Sequence, residues 1–192
     1  MSQSQSTLLR FNHPTWKSWT DDLNLCKTPQ EQIDFIKDTL KHKTMLHIFG
    51  RFFFPNIIKG EYEIPDAHLQ LIEFMTAPED GAGIFPRGFA KTTWEKIDTI
   101  HDIVYGLEPV ILYISATLED AQFHFESIKN ELESNDWLIK CYGNLVPDPS
   151  MPSTKWTNKH FQTTNEINLV ARGAGKGRGV NIRNKRPTKI IV

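Results

Sequence analysis

Ile84-Phe85-Pro86-Arg87-Gly88-Phe89-Ala90-Lys91-Thr92-Thr93 is the stretch on which the fold is decided. A turn-rich break, Pro78-Glu79-Asp80-Gly81-Ala82-Gly83, precedes it. A helical pattern follows, with Trp94, Ile97, Ile100 and Val104 recurring at intervals of three and four. A short apolar run, a turn containing glycine, then Lys-Thr-Thr opening a helix is the layout of a phosphate-binding loop. Backbone N–H groups at a helix N-terminus point at an anion, and the helix dipole adds partial positive charge there. In such loops a lysine reaches the β- and γ-phosphates of ATP and the next hydroxyl ligates Mg²⁺. Lys91 and Thr92 are the candidates for those roles. The glycine positions of GxxxxGK[ST] fall on Phe85 and Ala90, so only the Lys-Thr end matches literally. The plain alternative is an ordinary helix start after a loop. Ala90 is the smallest side chain that can replace glycine, and Arg87 places a cation inside the loop, four residues before Lys91.

Phe85 to Thr93 resembles the deviant Walker A loop of large terminase subunits, the ATPase motors that package DNA into tailed-phage heads. That family carries Arg or Lys early in the loop, where Arg87 stands; Ala90 departs from its usual glycine. The resemblance implies that Pro86, Arg87, Gly88, Phe89, Ala90, Lys91, Thr92 and Thr93 bind nucleotide. It makes Lys91 and Arg87 the charge-stabilising catalytic residues, with ATP and Mg²⁺ as cofactors and Thr92 on the metal. Pro65-x-x-His68 resembles an adenine-contacting segment in one terminase branch, which makes His68 the candidate there; a merely helix-polar histidine is the alternative. Arg172-Gly173-Ala174-Gly175-Lys176-Gly177-Arg178-Gly179 followed by Arg186-Pro187 is similar to the segment before a Walker B strand. Arg178, and after it Arg172, are therefore candidates for acting in trans on a neighbouring subunit or for touching DNA. Double-stranded DNA, a portal, a small terminase subunit and a homo-oligomeric ring are the partners this resemblance implies, in the host cytoplasm.

Apolar residues make up 39% of the 192 and charged residues 23%, as in a globular protein. No run approaches the ~18 apolar residues of a membrane span, and Met1 to Ser6 lacks the pattern of a signal peptide. Cys26 and Cys141 match no metal spacing and read as two free thiols of a reducing cytosol. The net charge of −1 hides an asymmetry. Residues 151–192 carry nine basic side chains against Glu166 alone, a balance of +8 that leaves −9 for residues 1–150. A basic end on an acidic body points to a polyanion contact.

In order, residues 1–28 read as an arm or short helices. Thr28-Pro29-Gln30-Glu31 has capping-box spacing, and Ile33, Ile36 and Leu40 follow as one apolar face. Arg51-Phe52-Phe53-Phe54-Pro55 reads as an aromatic plug, and Asp66 to Thr76 as a second helix with Leu69, Ile72 and Met75 on one face. Gly106 stops the loop helix. Val110 to Ile114 suits a strand covered on both faces, and Thr117 caps a helix whose stripe is Leu118, Ala121, Phe125, Ile128 and Leu132. Residues 135–157 read as a long connection with Pro147, Pro149 and Pro152. Ile167 to Ala171 reads as a strand, 172–179 as a basic hairpin tip, and Thr188 to Val192 as a second buried strand.

This alternation predicts an α/β fold, a P-loop NTPase with a mainly parallel sheet flanked by helices. The expected division is an N-terminal arm and helical region over 1–60 and an ATPase core over 61–192. The Walker B acids and nuclease domain of the family are not among these residues, so weak or no turnover is expected of this chain alone. The competing readings are a superfamily-2 helicase-like motor and a non-catalytic nucleic-acid-binding module that uses the basic end.

Overall fold

The structure, a computed structural model, describes residues 15–59, 64–77, 79–150, 155–176 and 179–192. Residues 1–14, the first half of the expected N-terminal arm, and Gly177 and Arg178 of the basic segment lie outside them. The described elements are α1 (Trp16–Leu23), α2 (Pro29–Thr39), a 3₁₀ turn (Lys43–Met45), α3 (Leu46–Phe53), α4 (Asp66–Thr76) and α5 (Lys91–Tyr105). Then come β1 (Val110–Ser115), α6 (Leu118–Ser134), α7 (Asp136–Tyr142), β2 (His160–Gln162), β3 (Asn168–Gly173) and β4 (Lys189–Ile191).

Local chemistry sets most of these boundaries. Thr28 accepts from the Glu31 amide while the Glu31 carboxylate accepts from the Thr28 amide at 3.2 Å, the reciprocal bonds of a capping box with Pro29 at N1. Thr117 Oγ1 accepts from the Asp120 amide and opens α6. A cap of this kind stabilises its helix by about 1 kcal/mol. Gly106 ends α5 at φ +66°, a left-handed conformation that glycine adopts without penalty.

The strands form a four-stranded open sheet in the order β2-β3-β1-β4. β1 runs parallel to β3, with Ile111 opposite Leu169, and parallel to β4, with Leu112 opposite Ile190. β2 pairs antiparallel with β3. The fold is therefore mixed α/β, with a mostly parallel sheet flanked by helices.

Four readings need correction. β4 is not a buried strand: it lies at the edge of the described sheet, with Ile190 58% exposed. The stretch 135–157 is not one long connection, because Asn135 accepts from the Leu138 amide and starts α7, which buries Leu138 and Cys141. The segment after Arg172 is no hairpin tip, since it links β3 to β4, two strands that run parallel on either side of β1. The tight turn lies further on, at Ile182 to Lys185, where Arg183 and Asn184 both take positive φ. In α4 the deepest residues are Leu71 and Ile72 rather than Leu69 and Met75.

One core runs from Trp19 through the helical region to Ala171 in the sheet. Phe53 and Phe54 of the aromatic plug are buried in it, as is Phe49 before them, while Phe52 is half-buried. Trp94 on α5 is fully buried, and a Cβ placed on Gly50 of α3 would sit 2.8 Å from its ring. Only glycine lets the two helices approach this closely.

A buried ionic cluster fixes α5 from behind. Asp98 and Asp102, one turn apart, are 2% and 1% exposed, and both face Lys43 from the 3₁₀ turn and Lys189 from β4. Lys189 lies 2.6 Å from Asp102. Burial alone would raise the pKa of Asp98, but Lys189 and Lys43 together outweigh it and hold the carboxyl below its usual range. Burial, then the Asp98 charge, push Asp102 up instead. His101, fully buried beside them, makes a 2.9 Å hydrogen bond through Nε2 to the Leu40 carbonyl. Burial, followed by the Lys43 charge, pushes its pKa down to about 4, so the ring is neutral and donates.

Candidate functional site

Every parallel strand here has its carboxyl end on the side where α5 begins, because α5 leads through Gly106 to the amino end of β1. At that end the chain of residues 84–90 turns back on itself. Gly88 takes φ +78°, and Ala90, the residue before α5, takes φ +54° and ψ +23°. The left-handed position that glycine usually fills is thus adopted by alanine, at a cost of roughly 1–2 kcal/mol for the Cβ.

The curl leaves the start of α5 open. No side chain caps it, its first turn holds no acid, and the amides of Lys91, Thr92 and Thr93 have no acceptor among the described residues. By contrast α1, α2, α6 and α7 are each capped by a side chain. Three free N–H groups and the positive end of a 15-residue helix remain at the loop mouth.

Lys91 does not extend outward. Its Nζ donates to the carbonyls of Phe85 (3.1 Å) and Pro86 (3.0 Å), bridging the loop from within. An incoming phosphate would compete with these two carbonyls for the ammonium. Arg87 is exposed and makes no hydrogen bond or ion pair among the described residues. Phe89 stacks on Phe85 at 5.6 Å, and His68 of α4 meets Phe89 edge-on at 5.3 Å. His68 is therefore brought to the loop although twenty residues separate them in sequence.

Thr92, Thr93 and Lys96 of α5 line a cavity of about 150 Å³ between α5 and α6, with Tyr113 of β1 and His124 of α6 completing its wall. Lys96 is engaged by Glu131 at 3.1 Å. Glu95, one turn after Thr92, has its carboxyl pKa raised by burial, and the Tyr113 hydroxyl donates to it. Burial, then Glu95, push the Tyr113 pKa up in turn. Sequence reasoning passed over Glu95 and Tyr113. The signal was available for the first, since Glu95 follows Thr92 at i+3 on the same helix face, and for the second only as a hydroxyl in an apolar strand.

Arg172 sits away from the loop helix, at the end of β3, with Nη1 donating to the Ala171 carbonyl at 2.8 Å. Arg178 lies outside the described residues. Among the described residues no group of three His, Cys, Asp or Glu is placed to hold a metal ion, and no helix is long and apolar enough to cross a membrane. Comparison of the chain with models of protein families, with curated proteins and with solved structures finds no match.

Proposed function

We propose that this chain carries the nucleotide-binding half of a P-loop motor of the large-terminase kind, one that couples ATP hydrolysis to the movement of double-stranded DNA into a capsid. The observation that carries the reading is the start of α5. It is the N-terminus of a long helix, without a side-chain cap and with no acid in its first turn, carrying the Lys91 ammonium at its first residue and the Arg87 guanidinium in the loop before it. The residues suit a triphosphate. The amides of Lys91, Thr92 and Thr93 would hold the phosphate oxygens, Lys91 would leave the Phe85 and Pro86 carbonyls to pair with the β- and γ-phosphates, and Arg87 would face the outer oxygens. Phe89 and His68 offer an aromatic wall for the base. Phosphoryl transfer requires positioning and charge neutralisation more than covalent chemistry, and these groups supply both. Mg²⁺, held through the Thr92 hydroxyl, would contribute further neutralisation of phosphate charge.

Titration with ATP and Mg²⁺ by calorimetry tests the reading. The wild-type chain binds, and Lys91→Ala weakens binding by roughly 10- to 100-fold, the value of a charge-assisted hydrogen bond of about 1.5–3 kcal/mol. Equal affinity in the two proteins would remove the loop from the function. Double-stranded DNA binding that persists with no nucleotide response would favour a non-catalytic nucleic-acid-binding module.

A further inference from the structure

The carboxyl ends of β1 and β3 open onto a second cavity, of about 380 Å³, that the nucleotide loop does not share. In open α/β sheets, small ligands bind in the crevice outside the carboxyl ends of the strands. The volume is that of a small-molecule site, for which the usual range is roughly 300–1,000 Å³. Three cations line it, each on backbone that is tied down. Arg172, half-buried at the end of β3, donates from Nη1 to the Ala171 carbonyl, which leaves its other guanidinium N–H groups for a ligand. The Lys159 carbonyl accepts from the Ala171 amide at 3.0 Å, so Lys159 sits beside it. The Lys176 amide donates to the Gly173 carbonyl at 3.1 Å, and the Ala174 amide to the Ser115 carbonyl at 2.8 Å. These bonds fold the chain after β3 across the end of β1. The start of α6 also borders the cavity. Thr117 satisfies the Asp120 amide there, while the amides of Leu118 and Glu119 have no acceptor among the described residues. Gly173 permits the close approach, since a Cβ on it would lie 3.2 Å from the Leu118 nitrogen. Glu119 is the one acid among the described lining residues.

We propose that this cavity binds a small phosphate monoester that carries hydroxyl groups, of the size and chemistry of a sugar phosphate. The cations and the two free amides answer the phosphate dianion. Glu119 selects what the phosphate is attached to. A carboxylate accepts hydrogen bonds and donates none, so it suits hydroxyl groups and repels a second phosphate. A polymer would set charge after charge against it. A monoester places one anion among the cations and its hydroxyls on the carboxylate. No residue of this site belongs to the loop, so the monoester binds whether or not ATP does.

Glucose 1-phosphate is the probe, titrated into the whole chain and followed by calorimetry and by backbone amide resonances. Binding saturates at millimolar concentration and shifts the amides of Leu118, Glu119 and Gly173 most. Arg172→Gln weakens it roughly 10- to 100-fold, the effect of losing a charge-assisted hydrogen bond. Lys91→Ala leaves it unchanged, which separates this site from the loop. Glu119→Ala acts with opposite sign on two ligands. It weakens glucose 1-phosphate about 10-fold, because the hydroxyls lose their acceptor, and it tightens inorganic phosphate, because a repelling charge is gone. Three results overturn the proposal: no saturable response of these amides, equal affinity in the wild type and a folded Arg172→Gln chain, or no weakening of glucose 1-phosphate in Glu119→Ala. The last is the behaviour of a general surface for polyanions.

Discussion

Ala90 is the residue on which the loop turns. It holds φ +54° where a Cβ is disfavoured, and the curl it makes frees the amides of Lys91, Thr92 and Thr93. Glycine removes that strain but adds conformational freedom to the unfolded chain, about 0.5–1 kcal/mol in the opposite sense. Ala90→Gly is therefore neutral or stabilising by up to about 1 kcal/mol in denaturant unfolding, unlike an ordinary Ala→Gly change. Ala90→Val, with a branched side chain in the same conformation, destabilises by more than 1 kcal/mol. A loss of 1 kcal/mol in Ala90→Gly would mean that the residue is not left-handed in solution. Sequence spacing located the loop and named its lysine, but it could not give the direction of the ammonium. That depends on where the carbonyls of Phe85 and Pro86 end up.

Among the elements, those with local signals were legible. Thr28, Thr117 and Gly106 each act through a neighbour three or four residues away, and α2, α5 and α6 begin or end where those residues stand. α7 was hidden because the prolines from Pro147 onward drew the whole stretch into one connection, although its own cap, Asn135, was in plain view. β2 is three residues long, too short for any alternation to register. The ionic cluster behind α5 was not legible at all: Lys43 lies 55 residues and Lys189 91 residues from Asp98. Asp98 and Asp102 were visible only as polar residues interrupting the buried face of α5. The cluster joins β4 to the loop helix, and its removal piecemeal is costly. Lys189→Met leaves two buried carboxylates with one cation and lowers unfolding free energy by about 3–5 kcal/mol. Adding Asp102→Asn to it restores a balanced pair and recovers at least half of the loss. If the double variant is as unstable as the sum of the singles, the charges are not acting as one cluster.

At the scale of the molecule, the helical region and the sheet are joined through α5, and its buried charges make stability depend on pH. His101 is the clearest case. Its folded pKa of about 4 lies below the ordinary 6.5, so between those values the unfolded chain binds the extra proton. That contribution to stability is complete above pH 6.5 and falls away as the pH drops toward 4, by about 3 kcal/mol in all. Asp98, held low, adds to the loss in stronger acid, while Asp102 and Glu95, held high, act in the opposite direction. His101→Gln keeps an amide donor for the Leu40 carbonyl and removes the titration. Between pH 7 and 4 the wild type loses about 3 kcal/mol more than this variant; parallel curves would show that His101 titrates normally.

The reading of the molecule as a nucleotide-driven motor comes down to whether the free amides at the start of α5 receive phosphate. Backbone amide resonances recorded during titration with ATP and Mg²⁺ answer this directly. The account predicts that Gly88, Lys91, Thr92 and Thr93 shift most and saturate together, with the same shifts absent in Lys91→Ala. Saturable binding whose shifts leave these amides in place, or no response of the loop at millimolar nucleotide, would contradict it.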